Sequence, residues 1–153
     1  MSDSIYAAFV LSIQIFILNL IIYLSTGNKL SFIGARLLAM QLKKMNCSTQ
    51  RAENGRVAVD LLKDSLPGTF DFILMDLRMP VMDGIEATKL IRNELQMSTI
   101  PICALTGEMG DEISSECEKV GFTEFFQKPL PRKTLQELIT KYKEDRNSGA
   151  VCL

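Results

Sequence analysis

Residues 5–24 form the longest apolar run in the chain, interrupted only by Ser12, Gln14 and Asn19, and no charge falls between Ser4 and Asn28. Such a run is long enough to cross a bilayer as a helix, and it predicts a membrane anchor. Lys29, Arg36, Lys43 and Lys44 follow it while only Asp3 precedes it, so an anchor would leave the rest of the chain in the cytosol. A secretory leader fits less well, because no basic residue precedes the run. From residue 29 to 45 the pattern changes. Leu30, Ile33, Leu37, Leu38, Met40 and Leu42 recur mostly at helical spacing with basic residues between them, which predicts an amphipathic helix.

Beyond that helix, short apolar runs alternate with helical patterns. Residues 47–52 read as a strand, and Gly55 opens a helix through Val57, Val59, Leu61 and Leu62 that stops before Pro67-Gly68. Residues 70–75 are a near-continuous apolar run of the kind buried on both faces of a parallel sheet, and it ends at Asp76. Met79-Pro80 and Asp83-Gly84 mark a turn. A helix over 84–93, a strand over 100–105, a helix over 111–120, a strand over 122–127 and a last helix over 131–142 follow, with a polar tail at 143–153. Strands alternating with helices predict an α/β fold, a doubly wound parallel sheet. The predicted organisation is a hydrophobic segment at 1–19, one domain at 20–142 and the tail.

Composition narrows the chemistry. The formal charge of -1 comes from 17 basic and 18 acidic residues scattered along the chain, so no basic stripe suited to a nucleic acid is formed. The chain has no histidine, which removes Ser-His and Cys-His catalysis and any phosphohistidine of its own. Cys47, Cys103, Cys117 and Cys152 stand at wide irregular spacings, consistent with reduced thiols rather than a zinc site.

In doubly wound sheets, ligands bind at the carboxyl ends of the strands. Asp76, Thr106 and Lys128 each follow a predicted strand. A carboxylate there can act as nucleophile, a hydroxyl can bond a phosphoryl oxygen, and an ammonium can neutralise another, which together suit phosphoryl transfer. Taken singly, each would be an ordinary turn or loop residue.

The segments Phe72-Ile-Leu-Met-Asp76-Leu-Arg-Met-Pro80-Val-Met-Asp83-Gly84, Ala104-Leu-Thr106-Gly and Gln127-Lys128-Pro129 resemble the receiver domains of response regulators and hybrid histidine kinases. The resemblance implies a flavodoxin-like five-stranded sheet of order 2-1-3-4-5, with Asp76 taking a phosphoryl group from a histidine kinase or a histidine phosphotransfer protein. It implies that Lys128 holds the phosphoryl oxygens, that Thr106 swings toward them, and that Phe125 moves with Thr106 on a switching face. It implies a signalling module rather than an enzyme, and a Mg2+ ion held by Asp76, the backbone carbonyl of Arg78 and an acidic pair ending the first strand. Thr26 and Gly27 stand where that pair belongs, so magnesium binding is expected to be weak or lost.

The same alignment puts the first strand near residues 21–25, inside the apolar run. These residues cannot be both strand and membrane helix, and a segment foreign to the domain is a third reading of the first two dozen residues. Two alternatives in function follow: a pseudo-receiver that binds partners without efficient phosphorylation, and a flavin-binding relative. The second is disfavoured because Lys29-Leu30 interrupts the hydroxyl-rich stretch at 25–28 and the chain has no Trp to stack on a flavin.

Overall fold

A computed structural model describes residues 20–24, 29–108 and 110–147 of the chain. The segment at 1–19, Thr26 and Gly27, and the tail from 148 onward lie outside the described residues. The elements run β1 (Leu20–Leu24), α1 (Lys29–Lys44), β2 (Ser48–Ala52), α2 (Gly55–Lys63), β3 (Phe72–Asp76), α3 (Gly84–Asn93), β4 (Ile102–Thr106), α4 (Asp111–Val120), β5 (Glu124–Gln127) and α5 (Arg132–Asn147). The five strands form one sheet of order β2-β1-β3-β4-β5, every neighbouring pair parallel.

β1 is a central strand. It pairs with β2 from Leu20–Ser48 to Leu24–Ala52 and with β3 through Ile21–Phe72, Ile22–Ile73 and Tyr23–Leu74. A single spanning helix over residues 5–24 is therefore ruled out at its last five positions, which hydrogen-bond to two neighbouring strands instead of to their own segment. Among the described residues, no helix is long and apolar enough to cross a membrane.

β3 and β4 are buried along their whole length, as sheet strands covered by helices on both faces must be. Their side chains alternate between two cores. Ile73, Met75, Ile102 and Ala104 pack with Ala58, Leu62, Ala87, Ile91 and Cys117 beneath α2, α3 and α4. Phe72, Leu74, Cys103 and Leu105 pack with Ala35, Leu42, Leu135, Leu138, Ile139 and Tyr142 beneath α1 and α5. On the second face the Tyr142 hydroxyl donates to Oε1 of Glu124 on β5, and Lys141 lies 2.9 Å from the same oxygen, tying α5 to the sheet edge.

Helix boundaries follow from local chemistry. Asn54 caps α2 by accepting from the Val57 amide at 3.0 Å. Asp83 and Glu86 form a reciprocal capping box at the start of α3. Gly121, at φ 98°, ends α4 in the left-handed conformation that glycine adopts without steric cost. Several predicted boundaries shift. The fourth strand begins at Ile102, after Pro101, and the fifth at Glu124, because the Thr123 hydroxyl accepts from the Ile102 amide ahead of the ladder. The last helix continues to Asn147, five residues past its predicted end at Tyr142.

Candidate functional site

The parallel sheet delivers three chain segments to one edge. Asp76 ends β3 and Thr106 ends β4, with Asp76 paired to Leu105 and Thr106 paired to Gln127. Lys128 comes immediately after β5, and its amide donates to the Thr106 carbonyl at 2.7 Å. Asp76 and Thr106 are only 3% and 4% exposed. A carboxylate with so little access to water needs partners of its own, and Asp76 has two. Its Oδ2 lies 2.6 Å from the Lys128 ammonium, and its Oδ1 accepts from the Arg78 amide at 3.0 Å.

Gly84 lets helix α3 start against this strand end. A Cβ at Gly84 would stand 2.4 Å from the Asp76 carbonyl oxygen, so only glycine fits there. The Gly84 amide in turn donates to the Leu77 carbonyl at 3.1 Å, closing the loop that carries Arg78 and Pro80.

Thr106 shares the edge, but its hydroxyl is bonded to Glu108. It donates to the Glu108 carbonyl at 2.7 Å and accepts from the Glu108 amide at 3.2 Å. The Glu108 side chain is itself engaged, with Oε2 3.0 Å from an Arg78 guanidinium nitrogen. A continuous set of bonds thus runs from Asp76 to the Arg78 amide, from the Arg78 side chain to Glu108, and from the Glu108 backbone to Thr106. Phe125 sits opposite Ala104 on β5 and is half-buried against the core beneath α2–α4.

Of the residues the sequence singles out, Asp76 and Lys128 are therefore in direct contact, Thr106 stands at the same edge with its hydroxyl engaged elsewhere, and Phe125 lies one strand away. Glu108 was missed. An exposed acid in a loop has no periodicity to betray it, and its only signal is its place two residues after Thr106.

Asp76 and the Arg78 carbonyl could each offer oxygen to a hard cation, but β1 runs parallel to β3 and so ends at the same edge, and no acid occurs between Ser4 and Ala52. Among the described residues, no group of three His, Cys, Asp or Glu side chains is placed to hold a metal ion. Magnesium is usually held by one or two carboxylates and keeps several waters, and Asp76 is the carboxylate at this strand end that could hold it.

The family model for the response regulator receiver domain matches residues 33–140. Hybrid signal transduction histidine kinase M of Dictyostelium discoideum is 36% identical over 114 residues, an alignment that covers 72% of this chain and 5% of that protein. The chain thus spans about a twentieth of the length of that curated relative. The receiver domain of sensor histidine kinase PA1611 from Pseudomonas aeruginosa, solved with a magnesium ion in its active-site cleft, is 26% identical with a TM-score of 0.70, covering 82% of this chain and 98% of that one. A chain of the Saccharomyces cerevisiae complex between the histidine phosphotransfer protein Ypd1 and the Ssk1 receiver domain is 25% identical with a TM-score of 0.73, covering 84% of this chain and 90% of that one.

Proposed function

The chain belongs to the response regulator receiver domain family, and on that premise we propose that Asp76 accepts a phosphoryl group from a phosphohistidine. The observation that carries this reading is the Lys128 ammonium held 2.6 Å from a carboxylate at the carboxyl end of a central strand. A carboxylate oxygen of Asp76 attacks phosphorus, the P–N bond breaks, and the electron pair leaves on the donor nitrogen. Lys128 neutralises charge on the phosphoryl oxygens as it develops. The Thr106 hydroxyl gives up its bonds to Glu108 and turns to a phosphoryl oxygen, and Phe125 follows inward. The added charge and acceptor oxygens thereby change the face formed by α4, β5 and α5.

The donor is a histidine kinase or a histidine phosphotransfer protein, in keeping with the likeness to the Ypd1–Ssk1 complex. The module signals rather than turning over a substrate, and its reactions are limited to taking the phosphoryl group and losing it to water. Magnesium is held weakly, because Thr26 and Gly27 replace the acidic pair. That departure supports a second reading, a pseudo-receiver that keeps the fold and binds partners without efficient transfer.

Incubation with phosphoramidate, which mimics the P–N bond of phosphohistidine, separates the two. The first reading expects one acid-labile phosphoryl group by intact mass, lost in Asp76→Asn. No added mass at saturating donor leaves only the interaction role.

A further inference from the structure

We infer that Arg78 is the second cation of the phosphoacceptor site: its guanidinium leaves Glu108 for the phosphoryl group on Asp76, so that charging proceeds without a divalent metal. The inference rests on the reading of Asp76 as the acceptor, and it starts from a charge deficit. A phosphoryl group brings close to two negative charges to a buried strand end. Lys128 supplies one positive charge there, and the carboxylates that would recruit a metal are missing from the whole stretch between Ser4 and Ala52.

Arg78 is placed to make up the difference. Its amide already bonds Asp76 Oδ1 at 3.0 Å, so its guanidinium lies within one side chain's length of any group carried on that carboxylate. Its present partner is a weak competitor. The Arg78 and Glu108 side chains are 79% and 72% exposed, and an ion pair so open to water contributes little and is screened by salt. A phosphoryl group offers the same guanidinium two oxygens in the forked geometry that arginine matches and lysine does not.

The exchange takes place beside the switch hydroxyl. Glu108 holds the Thr106 hydroxyl through both its carbonyl and its amide, and its side chain is fixed by Arg78. Moving the guanidinium to the phosphoryl group releases that side chain, while the backbone bonds to Thr106 do not depend on it. The transfer balances without further reactants. The P–O bond to Asp76 forms as the P–N bond of the donor breaks, the departing nitrogen takes a proton from solvent, and Lys128 and Arg78 stay protonated throughout.

The test follows phosphoramidate labelling of the full chain by intact mass, once with EDTA and once with magnesium chloride. The expected wild-type rates differ by less than about threefold, as metal held by a single carboxylate should matter little. Arg78→Ala is expected to lower the EDTA rate by about tenfold or more, Arg78→Lys to restore only part of it, and Glu108→Gln to raise it. Both side chains are exposed, so these variants should fold. Label on wild type only with magnesium, or equal labelling of wild type and Arg78→Ala in EDTA, overturns the role of Arg78 while leaving Asp76 as the acceptor. No label on wild type under either condition overturns both.

Discussion

Lys128 and Asp76 are fifty-two positions apart in sequence, yet the ammonium of one lies 2.6 Å from a carboxylate oxygen of the other. The contact is lopsided in its access to water. The Asp76 side chain is 4% exposed and that of Lys128 is 38% exposed, so the acid is committed to the interior while the base reaches it from the rim.

Lys128→Ala should therefore cost both function and stability. It leaves a buried carboxylate with one backbone donor; breaking a fully buried ion pair costs about 3–5 kcal/mol, and about 1–3 kcal/mol is expected here, where water can enter from the Lys128 side. Urea denaturation at pH 7 reads the stability change, and phosphoramidate labelling should fall below that of wild type. A Lys128→Ala protein with an unchanged urea midpoint would mean that water satisfies Asp76 as well as the ammonium does.

Much of this site is legible from sequence because burial writes itself into hydrophobic pattern. Residues 72–75 are apolar without a break since β3 is covered on both faces, and Asp76 stands out as the point where that apolar run ends. Thr106 and Lys128 follow their strands in the same way. β1 is ambiguous for the same physical reason, because a strand at the centre of a sheet and a bilayer span both demand unbroken apolar residues, and only its pairing with β2 and β3 separates them. The end of α5 was misplaced because its apolar periodicity stops at Tyr142, while backbone hydrogen bonding carries the helix on to Asn147. Glu108 left no pattern at all, since its partners are a backbone and another exposed side chain.

Restoring the acidic pair should convert the metal dependence. In Thr26→Asp, Gly27→Asp, two carboxylates would follow β1 in sequence, and β1 runs parallel to β3, the strand that ends at Asp76. The expected outcome is faster phosphoramidate labelling in magnesium than wild type and slower labelling in EDTA, where two uncompensated negative charges repel the incoming phosphoryl group. Labelling equal to wild type in both conditions would show that the missing carboxylates are not what limits magnesium.

Val81 carries a local cost in the loop that joins Asp76 to α3. Its φ is 71°, a γ-turn closed by the Met82 amide donating to the Pro80 carbonyl at 2.8 Å, and the residue is 83% exposed. A β-branched residue at positive φ is disfavoured by about 1–2 kcal/mol, and here almost no buried contact offsets it. Asparagine tolerates that backbone better, so Val81→Asn should raise stability by up to about 1 kcal/mol, seen as a higher urea midpoint with an unchanged m-value. A lowered midpoint would assign Val81 a packing role that its exposure does not suggest.

The tie between α5 and β5 should make stability depend on pH through Glu124. Burial alone would raise its pKa, but the hydrogen bonds from Tyr142 and Lys141, together with the Lys141 charge, outweigh burial and hold the carboxyl below its ordinary value of 4.5. A carboxyl with a depressed folded-state pKa adds stability that is fully present above the unfolded pKa and disappears as pH falls through the folded one. The Tyr142 phenol does not compete for that charge, since burial and the neighbouring Glu124 push its own pKa up and keep it protonated. Tyr142→Phe removes one donor to the charged oxygen, so it should cost about 1–2 kcal/mol at pH 7. The difference from wild type should stay constant down to about pH 5 and then narrow steadily below the ordinary carboxylate range. Glu124→Gln supplies the control, because without a titrating group at this position the phenol's contribution should no longer change over that window. A gap between wild type and Tyr142→Phe that keeps the same size from pH 7 to pH 3 would assign the phenol a packing role against Phe72, whose ring centroid lies 5.3 Å away, and not a role in holding the Glu124 charge.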